Sequence, residues 1–354
     1  MLDTLQSNNN LYEIPQLELN GLTACDLFCG AGIGAYGFKH AGYNILFGID
    51  NDPDAVKTYN LNIGEHAICE DIRKIKGENI PKHDLMIATP VCKPFTIASK
   101  NRQLTDDKRY GDLLAETIRL FSECQPKALF FENVEGIVLG DSLPIFLDFV
   151  HRIESFGYHT YWKVVNAYDL GVPQVRRRMF LTAIQDNILN EFIPPKELLF
   201  GKKSQRDAFW DLQDKTIENI KNHDVNNVPK STKFRVGTRQ SSWDEPGFTV
   251  MSHAGDSLLY PEPVIPFSDN DYTRRYDFIC EHNIRKLTVR ELLRLQTVGD
   301  DFYFPDSVSL IEQYNRCSGV PSLVAYKYGI AISDCLLGKT PLRKNTIHKR
   351  KSLF

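Results

Sequence analysis

The feature that most constrains the fold is a regular alternation of short apolar runs and amphipathic segments across residues 22–185. The apolar runs include LTACDLFC (22–29), NILFGID (44–50) and ALFFENV (128–134). Segments with helical periodicity, such as PDAVKTYNLN (53–62), lie between them. Strands that alternate with helices are typical of a mostly parallel sheet with helices on both faces. The sequence therefore predicts an α/β fold.

The alternation fades after this part of the chain. Residues 186–285 are richer in polar residues, proline and asparagine, and helical periodicity returns at LTVRELLRLQ (287–296). A chain of 354 residues is long enough for about two domains. We therefore predict one domain from residues 1–185 together with 286–354, and a smaller, irregular domain from residues 186–285.

Composition excludes several classes of protein. Hydrophobic residues make up 42% of the chain and charged residues 25%, which is ordinary for globular proteins. No uncharged apolar run approaches the roughly 18 residues of a membrane span, and the N-terminus does not look like a signal peptide. We expect a cytoplasmic protein without membrane association.

Cysteine spacing and net charge give weaker constraints. None of the eight cysteines forms a C-x-x-C pair, and they are scattered through apolar segments, which argues against a zinc site and a disulfide framework. The net charge of −3 counts mildly against nucleic-acid binding. Local basic clusters such as Arg176-Arg177-Arg178 can still contact phosphates.

A glycine-rich turn, DLFCGAGIG (26–34), follows the first apolar run. Gly30, Gly32 and Gly34 lie between a predicted strand and helix, where glycine permits a tight turn and close approach of a ligand. Their spacing departs from the G-x-G-x-x-G of NAD-binding proteins. On this turn alone, NAD binding and a plain strand-turn-helix without a ligand both stay open.

Two acidic residues strengthen the prediction of a nucleoside site. Asp50 ends the next strand, about 20 residues on, where an acidic side chain accepts hydrogen bonds from ribose hydroxyls in dinucleotide-binding folds. Asp71 follows a short apolar stretch and suits an adenine amino group.

Five motifs occur in a fixed order along the chain: DLFCGAGIG (26–34), TPVCKPFT (89–96), ENV (132–134), QVRRR (174–178) and RELLRLQTVGDDF (290–302). In this order and spacing the chain resembles the DNA cytosine-C5 methyltransferases, from about Leu22 to about Ile332. The resemblance implies a Rossmann-like methyltransferase domain that uses S-adenosylmethionine and releases S-adenosylhomocysteine. It also implies that residues 186–285 form a target-recognition domain.

The resemblance gives Cys92, Glu132, Arg176 and Arg178 catalytic roles. C5 of cytosine is too weak a nucleophile to take the methyl group directly, so the Cys92 thiolate adds to C6 first. Glu132 binds N3 and the exocyclic amine, and Arg178 holds O2 of the base, so that both stabilise the charge that develops. Arg176 supports the cysteine loop or contacts a phosphate.

The same resemblance assigns the other site residues. Those assigned to the cofactor are Asp26, Phe28, Gly30, Gly32, Gly34, Asp50, Asn51, Asp71, Ile72, Pro90 and Leu113. Those assigned to the substrate are Asn133, Gln174, Lys93 and Thr96. No metal is expected.

The chain departs from the family at three places. Val91-Cys92-Lys93 replaces Pro-Cys-Gln, Ala88-Thr89 replaces a glycine pair, and Cys317-Ser318-Gly319 replaces Gly-Asn-Ala. Lys93 would either favour the thiolate or contact phosphate. We favour a divergent but active methyltransferase; the alternatives are a relative with an altered donor or nucleic-acid substrate, and a catalytically weak nucleic-acid-binding protein.

The expected partner is double-stranded DNA with one cytosine flipped out of the stack, since the ring atoms must be reached. A cognate restriction endonuclease is a second partner that the resemblance allows. A monomer is the simplest oligomeric state. The DNA sequence that is recognised cannot be read from the chain.

Overall fold

The structure is a computed structural model. It describes residues 14–91, 112–213, 220–226, 233–235, 241–252, 258, 260–261, 266–270, 273–276 and 285–343. No helix in this part of the chain is both long and apolar enough to cross a membrane.

The strands, in chain order, are β1 (Thr23–Leu27), β2 (Asn44–Asp50), β3 (Ala67–Cys69), β4 (Leu85–Ala88), β5 (Ala128–Val134), β6 (Tyr158–Asn166), β7 (Arg177–Gln185), β8 (Lys233–Arg235), β9 (Pro266–Asn270) and β10 (Thr273–Tyr276). The α-helices are α1 (Ile33–His40), α2 (Pro53–Asn62), α3 (Asp112–Cys124), α4 (Leu143–Ser155), α5 (Gln205–Phe209), α6 (Val289–Leu295), α7 (Leu310–Arg316) and α8 (Ser322–Leu336).

Within the described residues, seven strands form one sheet in the order β3-β2-β1-β4-β5-β7-β6. The neighbours from β3 to β5 are parallel, whereas β7 is antiparallel to both β5 and β6. The predicted α/β fold with a mostly parallel sheet is therefore confirmed. A separate antiparallel sheet of β8, β10 and β9 lies inside the segment predicted as irregular.

Helices pack on both faces of the large sheet, and its strands send successive side chains to opposite faces. On β5, Phe130 belongs to one apolar cluster and Phe131 to the other, and both are completely buried. The first cluster includes side chains of α1, α2 and α8, and the second those of α3 and α4. This accounts for the nearly continuous apolar character of ALFFENV.

Several predicted elements differ from the structure at their ends. The apolar pattern of YWKVVNAYDLGVP (161–173) predicts a strand over this whole segment. In the structure the strand ends at Asn166, and Ala167–Leu170 forms a 3-10 turn that Gly171 closes with a φ of 94°. The seven-residue helix α7 has no counterpart in the sequence-based prediction. It is too short for its periodicity to stand out.

The last described helix, α8, packs on the first part of the chain, and α1 and α8 touch at Gly37. A Cβ on Gly37 would lie 2.7 Å from the Cβ of Ala325 and 2.9 Å from the backbone nitrogen of Tyr326. The hydroxyl of Ser322 also donates to the carbonyl of Ile33, over 2.7 Å. The two helices therefore approach so closely that only glycine fits at position 37.

We expect Gly37→Ala to destabilise the protein by about 2 kcal/mol or more, because backbone atoms of α8 must move to admit the methyl group. Gly34→Ala is the matched control in the same helix, since a Cβ there meets only Val320, at an ordinary 3.5 Å. Urea unfolding should show Gly34→Ala within about 1 kcal/mol of the wild type. Equal stability of the two variants would contradict the close packing.

Candidate active site

A cavity of about 600 Å³ opens at the carboxyl ends of the parallel strands, where ligands bind in open α/β sheets. Six of the residues assigned to the cofactor line it: Phe28, Asp50, Asn51, Asp71, Ile72 and Leu113. Its volume lies within the usual range of ligand pockets, about 300–1,000 Å³. The structure thus brings together residues that span 85 positions of the sequence, from Phe28 to Leu113.

The glycine-rich turn fixes the orientation of Asp50. The backbone N–H of Gly30 donates to Oδ2 of Asp50 over 2.9 Å, and that of Asp52 donates to Oδ1 over 3.0 Å. Gly30 and Gly32 have φ values of 53° and 92°, and Phe28 has a positive φ of 65°. A non-glycine residue in the left-handed region is strained, and such strain is often found at binding sites. Asp50 consequently presents a fixed acceptor.

The residues assigned to the cofactor that do not line the cavity are Asp26, Gly30, Gly32, Gly34 and Pro90. Asp26 is buried, its Oδ1 accepts no hydrogen bond from a described residue, and burial together with the Asp50 carboxylate raises its pKa well above the ordinary value. Gly34 lies in the first turn of α1, facing Val320. Pro90 is buried beside the cavity-lining Val91. Their roles at the cofactor stay predictions.

Arg73 is a cavity residue that the sequence analysis did not identify. Its guanidinium donates to both carboxylate oxygens of Asp71, with Nε–Oδ1 at 2.9 Å and Nη2–Oδ2 at 2.7 Å. The guanidinium holds the pKa of the Asp71 carboxyl below its usual value. Because this pairing occupies the acceptor expected to take the adenine amine, a purine here must share Asp71 with Arg73. The D-x-R spacing in the sequence does not predict this ion pair between Arg73 and Asp71.

The carboxylate assigned to the target base lies beside its predicted cationic partner. Oε1 of Glu132 and Nε of Arg178 are 3.3 Å apart, across the antiparallel pair of β5 and β7. The side chains are 11% and 16% exposed, respectively. Glu132 Oε1 is buried and accepts no hydrogen bond from a described residue, so the contact is an ion pair without hydrogen-bond geometry. Lone pairs of this oxygen are thus available to a ligand.

Asn133 connects this ion pair to the cavity. Its Nδ2 donates to the carbonyl of Pro90 over 3.3 Å, and Thr89 donates to the carbonyl of Phe28 through its hydroxyl, over 3.3 Å. Val91, which precedes Cys92 in the sequence, lines the cavity. Residues 89–91 therefore join the cofactor side to Glu132, and Asn133 holds this segment.

Arg176 and Gln174 are buried among protein groups. Arg176 Nη1 donates to the carbonyl of Val250 over 3.1 Å. Gln174 accepts from the N–H of Val250 over 2.9 Å and donates to the carbonyl of Leu295 and to Oε1 of Gln296. For Arg176, burial favours the supporting role over a phosphate contact. The hydrogen bonds of Gln174 likewise join three segments of protein, and its substrate role stays a prediction.

Three of the assigned residues, Cys92, Lys93 and Thr96, lie outside the described residues. Of the departures from the family, Cys317 is completely buried, and burial raises the pKa of its thiol. Gly319 packs against Ile33 at the start of α1. The altered segment is thus packed against the helix that follows the glycine-rich turn.

The family of this chain follows from its similarity to known proteins. Residues 22–334 match the family described as C-5 cytosine-specific DNA methylase. The chain belongs to this family. Members of the C-5 cytosine-specific DNA methylase family use S-adenosylmethionine as methyl donor. The described cavity fits that donor, since Phe28 offers an aromatic surface and Asp50 an oriented acceptor beside it.

Two similar proteins are type II methyltransferases of bacteria. The chain is 31% identical to the type II methyltransferase M.FnuDI of Fusobacterium nucleatum over 346 residues, 93% of this chain and 98% of that protein. It is also 31% identical to the type II methyltransferase M.NgoPII of Neisseria gonorrhoeae, over 90% and 97% of the two chains. The similarity therefore extends over nearly the full length of both relatives.

Solved structures show the same fold at lower identity. The Dnmt2 methyltransferase of S. pombe superposes with a TM-score of 0.64 at 17% identity, over 89% of this chain and 99% of that one. The methyltransferase EhMeth of Entamoeba histolytica superposes with a TM-score of 0.66 at 16% identity, over 92% and 99%. The predicted Rossmann-like methyltransferase fold is thereby confirmed.

We expect donor affinity to rise with pH until Asp50 is ionised and then to level off. Burial raises the pKa of the Asp50 carboxyl, and the N–H groups of Gly30 and Asp52 partly oppose this rise. Below the raised pKa the carboxyl is protonated and is a weaker acceptor for ribose hydroxyls, so donor affinity falls with falling pH. Calorimetric titration with S-adenosylhomocysteine, repeated from mildly acidic to neutral pH, measures this dependence of affinity on pH.

The control for that titration is Asp50→Asn, which should bind about tenfold or more weakly at neutral pH, with a flatter pH profile. Thermal unfolding at each pH separates lost binding from lost folding. A wild-type affinity that does not change with pH would contradict the ribose role of Asp50.

Proposed function

We propose that this protein is a DNA cytosine-C5 methyltransferase that modifies one cytosine within a specific duplex sequence. The observation that carries the proposal is the buried ion pair of Glu132 and Arg178, joined through Asn133 and residues 89–91 to the cavity that fits the donor. A carboxylate with unused lone pairs beside a guanidinium matches the edge of a cytosine, which has an amine, N3 and O2 in a row.

The reaction requires a nucleophile, groups that stabilise charge on the ring, a methyl donor and a base. The Cys92 thiolate adds to C6, forming a carbon–sulfur bond and placing an electron pair on C5. Glu132 holds or delivers a proton at N3, and Arg178 holds O2, so negative charge is stabilised where it forms. S-adenosylmethionine supplies an electrophilic methyl group. Loss of the C5 proton to a base and expulsion of the thiolate then restore the aromatic ring and release 5-methylcytosine.

Burial of Glu132 supports base flipping, because a cytosine inside a duplex cannot reach a side chain that is 11% exposed. We propose that residues 186–285 form the target-recognition domain and that the protein acts as a monomer in the cytoplasm. The type II methyltransferase relatives support a partnership with a cognate restriction endonuclease.

We expect a duplex containing 5-fluorocytosine to trap the enzyme covalently in the presence of S-adenosylmethionine. Fluorine cannot leave C5 as a proton does, so the bond from the Cys92 sulfur to C6 persists. Denaturing gel electrophoresis should show the adduct for the wild type and none for Cys92→Ser. Cys69→Ser is the matched control, since Cys69 is exposed and outside the cavity. An adduct that survives Cys92→Ser would refute the mechanism.

We expect Glu132→Gln to slow formation of 5-methylcytosine by roughly 10²–10⁴-fold, the usual worth of an acid or base catalyst. Mass spectrometry of nucleosides from DNA incubated with plain S-adenosylmethionine measures the product. Efficient methylation by the wild type also excludes the altered-donor alternative, whereas a folded wild type that yields no 5-methylcytosine would contradict the proposed function.

A further inference from the structure

Arg316, the last residue of α7, joins the C-terminal part of the chain to the start of α2. Its Nη2 lies 2.6 Å from both carboxylate oxygens of Asp52, although 264 sequence positions separate the two residues. Arg316 also pairs with Glu312, one turn earlier in α7. The side chain of Arg316 is 13% exposed, so solvent screens this pair less than an ordinary surface ion pair.

Asp52 lies between Arg316 and Asp50 and contacts both residues. The Asp52 carboxylate caps α2 by accepting from the N–H groups of Asp54 and Ala55, at 3.0 and 3.2 Å. The N–H of Asp52 in turn donates to Oδ1 of Asp50. With its side chain fixed between Arg316 and the first turn of α2, Asp52 also has a fixed backbone. The direction in which Asp50 offers its lone pairs therefore depends on Arg316.

Arg316 is itself part of the cavity wall. It lines the cavity together with Asp50, Asn51 and Asp52. Its Nε is buried and has no hydrogen-bond acceptor among the described residues. The ion pairs of its Nη1 with Glu312 and of its Nη2 with Asp52 therefore hold the guanidinium at the cavity wall.

The backbone around Arg316 is held on its C-terminal side. The carbonyl of Cys317 accepts from Nε2 of Gln296 over 3.0 Å, and Gln296 accepts from Gln174. Both glutamines are completely buried. The guanidinium is thus presented from a fixed backbone, as a positioning residue requires.

We propose that Arg316 is a positioning residue for the donor nucleoside, which orients Asp50 through Asp52 so that Asp50 binds the ribose hydroxyls. This inference rests on the proposed function only for the identity of the donor. It makes helix α7 a determinant of donor affinity.

The test is calorimetric binding of two ligands, S-adenosylhomocysteine and its 2′,3′-dideoxy analogue, to the full-length protein without DNA. Arg316→Met keeps the length of the side chain and removes its charge. Asp52→Asn keeps a good helix cap and weakens the ion pair. Each variant should lose roughly tenfold in affinity for S-adenosylhomocysteine. The double variant should lose little more than either, since both remove one interaction.

The dideoxy analogue separates positioning from general stability. Without ribose hydroxyls it should bind the wild type and Arg316→Met with equal affinity. Arg316→Lys should recover part of the lost affinity for S-adenosylhomocysteine, because an ammonium can still pair with Asp52. Arg152→Met is the matched control, since Arg152 pairs with Asp148 on the surface of α4 and should leave both affinities unchanged.

Unchanged affinity of Arg316→Met for S-adenosylhomocysteine would overturn the inference, and so would an equal loss for both ligands. Thermal unfolding of each variant shows whether a loss reflects partial unfolding, which would lower both affinities alike. The outcome is independent of methyl transfer. A wild type that binds the donor but forms no 5-fluorocytosine adduct would refute the proposed function and leave this inference standing.

Discussion

The site depends on the position of β5, which pairs in parallel with β4 and antiparallel with β7. The parallel pairing brings the end of β5 to the edge where β4 ends, so that Asn133 reaches the Pro90 carbonyl. The antiparallel pairing brings the start of β7 to the same edge, so that Arg178 lies beside Glu132. Strand β5 therefore connects the donor cavity to Glu132, the residue assigned to the target base. The antiparallel strand β7 supplies Arg178 as its cationic partner.

Much of this arrangement could be predicted because it follows from local pattern. The helix PDAVKTYNLN and the strand ALFFENV have the bounds that their periodicity predicts. The positions of Asp50 and Asp71 after apolar stretches predict a nucleoside site, and both residues line the cavity. The roles of Cys92, Lys93 and Thr96 stay predictions, as does the division into two domains.

What could not be predicted depends on contacts between distant or irregular segments. Arg73 binds Asp71 through a 3-10 turn, and short polar turns carry no periodic signal. Arg316 of α7 contacts Asp52, and the neighbouring helix α8 packs on α1, so both contacts join segments far apart in the sequence. The motif around Gln174 likewise gives no sign that its amide holds Val250 and Leu295, and its substrate role stays a prediction. Sequence motifs identify which residue types recur, and tertiary packing decides what each one touches.

The close fit of α1 to α8 at Gly37 has a consequence for how the protein is made. Apolar residues of α1, among them Phe38, emerge from the ribosome long before the helix that covers them. Until residue 336 has been synthesised, this face of the sheet lacks the part of its cover that α8 supplies, and exposed apolar surface favours aggregation. The wall formed by α7 is likewise missing from a nascent chain. Donor binding and completion of the core thus become available together, once α7 and α8 have both been synthesised.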